Sequence, residues 1–579
     1  MANNTGLRGE GRAGGTARFK VRTRVLASFF VLFALLCVGR LYYLQVIQGD
    51  EYAAKANRVF LTPTNSLFSR GTIYFTAKDG AEIAAAADES GVLLAVQPPK
   101  ITDPSALYNE LNKVVPLSKS DFIAKATRPG TQYVVVLNHL STTTGATLQS
   151  LNATGTVIAQ DSWRYYPGKT LAAQTIGFVA YNGDVLEGRY GLEQNYEKVL
   201  NHSNEDLYTN FFVELFAGAS QVLSGNTEGD LVTTIEPSVQ TELERVVAAY
   251  TQKWHPQIAG GIIMDPQTGA IYAIAQSPTF DLNDFSGQTD PSIFANSLVQ
   301  NDYEMGSIIK PLTMAAGLDS GVITQQTTYD DKGCITVDTA RICNYDLRAR
   351  GVIPMQEILN QSLNVGASFV ATQLGPDLFR TYFEDKYQLG KKTGIDLPGE
   401  VSGLISNLSS PRQLEYDEAS FGQGIAITPM ETVRALSTLA NGGRLITPHL
   451  GRAVRTAGGI EMPIAWGSGV QVLSASTTQQ ISQMLTEVVD VNHILHKDHY
   501  SIAAKTGTAQ IADHATGGYY PNSYLHSFFG YLPSYGARFI IFLYALKPVG
   551  AEYSSQTWAS SFNDLTSFLI NYYNIPPDR

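Results

Sequence analysis

From Asp230 onward, strand-like sequence falls into two blocks far apart in the chain, and this split restricts the fold more than any other feature. Gly260-Gly261-Ile262-Ile263-Met264-Asp265-Pro266 followed by Thr268-Gly269-Ala270-Ile271-Tyr272-Ala273-Ile274-Ala275 reads as strand, Pro/Gly turn, strand, the pattern of an antiparallel hairpin. Ile502-Ala503-Ala504, Ser527-Phe528-Phe529-Gly530-Tyr531-Leu532 and 538–546 read as three further strands, followed by a closing helix at about 556–573. Between the blocks the patterns are mainly helical. Strands, many helices, strands and a helix, in that order, imply an α+β domain whose antiparallel sheet is assembled from both ends of its sequence. Just ahead of it, Leu231-Val232-Thr233-Thr234-Ile235 reads as a strand and 238–250 as an amphipathic helix.

The chain of 579 residues, 44% hydrophobic, is too long for one core and holds enough apolar material for several domains. Its net charge is −11 and no Lys/Arg-rich tract follows the first 24 residues, which argues against nucleic-acid binding. Six basic residues, Arg8, Arg12, Arg18, Lys20, Arg22 and Arg24, face a single acid, Glu10, before an apolar run at 25–39. Arg40 interrupts the run and can snorkel outward, and Leu41-Tyr42-Tyr43-Leu44-Gln45-Val46-Ile47 extends it to the length of a spanning helix. No small-x-small cleavage site immediately follows the run, so 25–47 reads as an uncleaved transmembrane anchor. The expected organisation is a disordered cytoplasmic tail 1–24, the anchor, an α+β spacer 48–222 outside the cytoplasm and a larger α+β domain 223–575. Within the spacer, 104–114 and 171–180 have helical patterns, and 71–75 and 134–137 are strand-like. The aromatic stretch 208–215 reads as a core element rather than a membrane contact.

Ser307-Ile308-Ile309-Lys310 places a lysine amine one helical turn from a serine hydroxyl, and no other lysine has serine three residues before it. An unprotonated Lys310 amine can then take the Ser307 proton, making a nucleophile and its base. Alone, Ser-x-x-K is a weak signal, but it gains from Ser362-Leu363-Asn364, within a helical segment 357–374, and from Lys505-Thr506-Gly507-Thr508, after the strand Ile502-Ala503-Ala504. Ser-x-Asn also occurs at Ser150, Ser224 and Ser561, outside the interval between nucleophile and Lys-Thr-Gly. Lys392-Thr393-Gly394 is a decoy, because it runs into a proline-containing turn. Cys334 and Cys343 sit close together in a loop-like stretch, compatible with a disulfide or with two free thiols. His493, His496 and His499 are spaced for one helix face, yet no second ligand cluster joins them, so a solvated loop is favoured over a metal site.

With these motifs in order, the chain resembles class B penicillin-binding proteins, the D,D-transpeptidases of bacterial peptidoglycan synthesis. Arg70-Gly71-x-Ile73-Tyr74, Tyr166-Pro167-Gly168 and Gly191-Leu192-Glu193 resemble that family's pedestal, while Asp265-Pro266-x-Thr268-Gly269, Gly422-Gln423-Gly424 and Lys505-Thr506-Gly507-Thr508-Ala509-Gln510 resemble its transpeptidase domain. The resemblance implies a serine β-lactamase-like fold and a stem peptide ending in D-Ala-D-Ala as substrate. Ser307 would be the nucleophile, Lys310 the base, Ser362 the proton relay, and Asn364 would hold Lys310 and the substrate amide. Lys505, Thr506, Gly507 and Thr508 would receive the terminal carboxylate, and the backbone N–H groups of Ser307 and Thr508 would form the oxyanion hole. β-Lactams would acylate Ser307, no cofactor or metal is implied, and a polytopic membrane glycosyltransferase of the elongation or division machinery is the implied partner. Met305 and Ala504 stand where proline and glycine are common in the family, and 489–499 carries histidines where a glycine turn is usual. The rival readings are a serine β-lactamase or D,D-carboxypeptidase, disfavoured by the anchor and long spacer, and a silent scaffold, disfavoured by the intact motifs.

Overall fold

The computed structural model describes residues 69–183, 185–202, 228–456, 458–493, 497–513 and 518–579. The expected tail 1–24 and anchor 25–47, the stretch 208–215 and His496 lie outside them. Among the described residues, no helix is long and apolar enough to cross a membrane. The chain divides into two compact units, a smaller one containing Ser90–Ser162 and a larger one made of Phe68–Glu89 and Trp163–Arg579.

In the smaller unit the strand Val134–Leu140 pairs antiparallel with 92–96, bringing Leu94 opposite Leu137. Helix Pro104–Leu111 starts where proline costs no hydrogen bond, and the Asp103 side chain accepts from the N–H groups of Ser105 and Ala106. Leu107 and Leu111 from this helix, Phe122 from Lys119–Ala126 and Leu148 from Thr142–Ser150 close a core on Leu94 and Val96.

In the larger unit a five-stranded antiparallel sheet runs in the spatial order Ala503–Ala512, Tyr519–Leu532, Phe539–Leu546, Ile258–Met264, Ile271–Ser277. The first three come from one end of the sequence and the last two from the other, and they meet where Phe542 pairs with Ile262. Successive side chains in a strand point to opposite faces, which explains why the central strands are apolar throughout. Ile263, Ile541 and Leu543 face a core built with the helices Pro237–Trp254 and Ala559–Tyr573. Ile262, Phe542 and Tyr544 face the opposite core, built with the helices Lys310–Ser320, Pro429–Ala440 and Ala475–Asn492. Helix Pro429–Ala440 is buried along its whole length, and a reciprocal capping box between Thr428 and Glu431 satisfies its first donors.

Three expectations change. The helix expected over 171–180 is one turn, Ala173–Ile176, because Gly177 turns left-handed at φ 73° and the chain re-enters a strand at Val179–Asn182. The strand expected to end before Lys505 continues to Ala512, so Lys-Thr-Gly lies on the sheet's edge strand itself. The helical segment 357–374 is two helices, Met355–Asn360 and one that begins at Asn364, with Ser362 in the break between them. Within this unit the Lys392-Thr393-Gly394 turn folds onto Glu400, which accepts from the N–H and hydroxyl of Thr393.

Candidate active site

Ser307 and Lys310 stand at a change of helix type, the 3-10 turn Gly306–Ile309 followed by the α-helix Lys310–Ser320. A 3-10 turn has three residues per revolution, so side chains at i and i+3 eclipse and stand on one line along the turn. Lys310 Nζ consequently lies 2.9 Å from Ser307 Oγ. The turn is pressed against the edge strand: a Cβ on Gly507 would lie 2.9 Å from the Met305 carbonyl oxygen and 2.3 Å from Ser527 Oγ. Only glycine lets backbone approach backbone there.

Between the two lysines stands Ser362. Lys310 Nζ is 2.6 Å from the Ser362 carbonyl oxygen and 3.2 Å from its Oγ, and Lys505 donates to the same Oγ at 3.0 Å and to the Thr506 carbonyl at 3.1 Å. Ser307, Lys310, Ser362 and Lys505 thus form one continuous chain of polar contacts. Ser362 holds φ at 56°, a left-handed conformation that costs a side-chain-bearing residue about 1–2 kcal/mol and is found where the surroundings enforce it.

Both amines are buried, Lys310 at 1% and Lys505 at 2% exposure. Burial, and then the charge of Lys505, holds the Lys310 amine well below the ordinary lysine range. Burial alone brings Lys505 down to about 7. Lys310 Nζ donates to Ser307 Oγ and to both Ser362 oxygens; once neutral, the amine keeps two N–H groups for Ser362 and can turn its lone pair to the Ser307 hydroxyl.

Ser307, Ser362, Asn364, Lys505, Thr506 and Thr508 line one cavity of about 920 Å³. Gly507, between the two threonines, carries no side chain into it. Thr508 Oγ1 accepts from the Ser554 N–H at 3.1 Å, leaving its own hydroxyl hydrogen to donate. Asn364 departs from the expected arrangement: its amide nitrogen donates to the Cys343 carbonyl at 3.0 Å, while the Lys310 bonds go to the two serines. Cys334 and Cys343 are disulfide-bonded across a hairpin, and Cys343 lines the cavity.

Other residues at the site had no motif to mark them. Glu304 Oε1 accepts from the Gly424 N–H at 2.9 Å, tying the Gly422-Gln423-Gly424 turn to the turn that carries Ser307, and burial pushes its carboxyl up to about 7. Tyr345 and Tyr553 meet edge to face at the cavity, centroids 6.0 Å apart. A sequence signal existed for Glu304, three residues before the serine, but none for the two tyrosines, which come from segments distant in the chain. His493 ends helix Ala475–Asn492 as a left-handed cap, and among the described residues no group of three or more His, Cys, Asp or Glu could hold a metal.

Residues 259–566 match the penicillin-binding protein transpeptidase domain family, and residues 67–206 match the penicillin-binding protein dimerisation domain. The chain is 27% identical over 547 residues to stage V sporulation protein D of Bacillus subtilis, covering 92% of this chain and 82% of that protein. It is 27% identical to the peptidoglycan D,D-transpeptidase MrdA of Acinetobacter baumannii, covering 84% and 78%. Among solved structures, penicillin-binding protein 2X of Streptococcus thermophilus superposes with a TM-score of 0.68 at 21% identity, over 87% of this chain and 79% of that one. Penicillin-binding protein 3 of Mycobacterium tuberculosis, complexed with aztreonam, superposes at 0.66 and 20%, over 88% and 97%. At such identities the structural likeness speaks for the fold.

Proposed function

The chain belongs to the penicillin-binding transpeptidase family, and on that premise we propose that it cross-links peptidoglycan stem peptides by D,D-transpeptidation, in cell elongation or division, and is acylated by β-lactams. The observation that carries this reading is the contact chain Ser307, Lys310, Ser362, Lys505. Ser307 Oγ attacks the carbonyl between the two terminal D-alanines while Lys310 takes its proton. The backbone N–H groups of Ser307 and Thr508 receive the oxyanion, where one lost donor costs on the order of 10²-fold in rate. Ser362 passes the proton from Lys310 to the departing nitrogen, D-alanine leaves, and an acyl-enzyme remains. An amine of a neighbouring stem then attacks the acyl carbon and returns the proton path to its start. Lys505 and the hydroxyls of Thr506 and Thr508 hold the terminal carboxylate. Asn364, its N–H₂ engaged by Cys343, offers its carbonyl oxygen to the substrate amide.

The same reading places 25–47 in the membrane as a single anchor, with the spacer 48–222 carrying the transpeptidase domain 223–575 outside the cytoplasm. The Cys334–Cys343 disulfide supports an oxidising compartment. Glycan polymerisation falls to a partner, a polytopic membrane glycosyltransferase.

The test is to incubate the full chain, purified in detergent, with a fluorescent penicillin and to follow intact mass beside Ser307→Ala. A long-lived adduct that is absent from the variant is the expected result. Rapid adduct turnover would make the protein a β-lactamase. Absence of adduct together with no D-alanine release from a stem pentapeptide would overturn the reading.

A further inference from the structure

Ser362 occupies a left-handed turn, and side chains outside every motif named above bond to the residues on its two flanks. On the far side of that turn, Asp331 is fully buried at the end of the strand Thr328–Asp331. Its carboxylate accepts from the Asn344 side-chain N–H₂ at 2.9 and 3.1 Å and from the Gly333 N–H at 3.2 Å. The Arg350 backbone N–H donates to the Asp331 carbonyl at 3.0 Å and its Nε lies 3.9 Å from Asp331 Oδ2, while its two terminal nitrogens pair with Asp346 at 2.9 and 2.8 Å.

Two arms leave this hub and grip the Ser362 turn from its two flanks. In the first, Asn344, 1% exposed, accepts the Val365 N–H on its Oδ1 at 3.1 Å, at the start of the helix that opens with Asn364. Its neighbour Cys343 accepts from the Asn364 side chain at 3.0 Å, and the disulfide to Cys334 fixes that carbonyl. In the second, Arg350 Nε donates to Gln361 Oε1 at 3.0 Å, immediately before Ser362. Gln361 in turn donates to Glu357 at 2.6 Å. A buried amide that bridges a carboxylate and a backbone N–H has no rotational freedom left.

We propose that Asp331, Asn344 and Arg350 are positioning residues of the reaction, a clamp that holds Ser362 in its left-handed conformation so that its hydroxyl bridges Lys310 and Lys505. None of the three is assigned a contact with substrate. The inference rests on the reading of Ser307 as the acylated nucleophile and Ser362 as the relay. Its physical ground is that a proton relay works only within hydrogen-bond reach on both sides, and a misplacement of about 1 Å costs on the order of 10²-fold.

The test compares Asn344→Ala, Arg350→Gln and the donor–acceptor exchange Asp331→Asn combined with Asn344→Asp. In the exchange the amide at 331 donates to the carboxylate at 344, which still accepts from Val365. The second-order rate of acylation by a fluorescent penicillin is measured per folded molecule, with its pH profile, on the full chain. The single variants are expected to lose on the order of tenfold to a hundredfold, in the covalent step rather than in pre-acylation affinity, with the acid limb of the profile displaced as Lys310 loses its Ser362 partner. The exchange is expected to recover most of the loss. Arg350 is partly exposed, so Arg350→Gln remains informative should Asn344→Ala fail to fold. Singles that lower only the melting temperature, or an exchange no better than the singles, would overturn the clamp. Wild-type protein that forms no adduct would instead remove the underlying assignment of Ser307.

Discussion

Two buried lysines of like charge cannot both stay protonated at small cost, and the proposed mechanism gives each a different charge state. Lys310, pressed by burial and by Lys505, is held well below the ordinary lysine range, and Lys505 keeps its charge up to about 7. On the proposed mechanism the base must be neutral and the carboxylate receptor charged, so turnover calls for a neutral Lys310 and a charged Lys505, and the second condition fails above about 7. The second-order acylation rate, which reports the free enzyme, is expected to fall as pH rises through about 7 and to fall again in acid. Lys505→Arg, whose guanidinium stays charged, is expected to move the alkaline limb upward; an unchanged limb in stopped-flow measurements would take Lys505 out of the profile. Ser362→Ala removes the hydroxyl between the lysines and is expected to slow acylation by about 10²–10⁴-fold without preventing folding, as active-site titration and circular dichroism together would show.

At the scale of elements, reactivity depends on how closely the edge strand Ala503–Ala512 approaches the turn Gly306–Ile309. That spacing belongs to Gly507, whose missing Cβ leaves room for the Met305 carbonyl and Ser527 Oγ, and the Ser527 hydroxyl donates back to Met305 at 2.8 Å. Gly507→Ala is therefore expected to push the strand off the nucleophile, costing on the order of 10²-fold in acylation. Equal acylation rates in the variant and the parent would show that the close approach is dispensable. Helix Pro429–Ala440 gives the opposite case, because its cap lies away from the chemistry. Thr428→Ala removes the bond from the Glu431 N–H to Thr428 Oγ1, while the backbone N–H of residue 428 still donates to Glu431, and is expected to cost about 1 kcal/mol in denaturant unfolding while acylation per folded molecule stays unchanged.

On the scale of the whole molecule, the larger unit is drawn from segments scattered along the chain, and buried charge helps to hold them. Glu193, fully buried, pairs with Arg70 at 2.6 Å and Arg164 at 2.7 Å, three residues from three separate segments. Glu193→Ala leaves Arg70 with Glu197 at 2.7 Å and Arg164 with Asp88 at 3.1 Å as their remaining counter-charges, and is expected to cost about 1–3 kcal/mol, read as a drop in melting temperature. A variant as stable as the parent would show that the arginines find water instead. The sequence by itself determined the α+β class and the pairing of strands from the two ends of the domain, and it singled out Ser307, Lys310, Ser362 and Lys505, which the fold brings into contact. Those features rest on local periodicity and on short motifs whose spacing one or two turns can read. The tertiary structure alone decided that Ser362 sits in a break between helices, that Lys-Thr-Gly lies within the edge strand, and that Asn364 turns to Cys343. Each of these depends on a partner brought in from a distant segment, such as the Asp331 and Asn344 hub behind the turn, and no local pattern records which distant side chain will satisfy a buried donor.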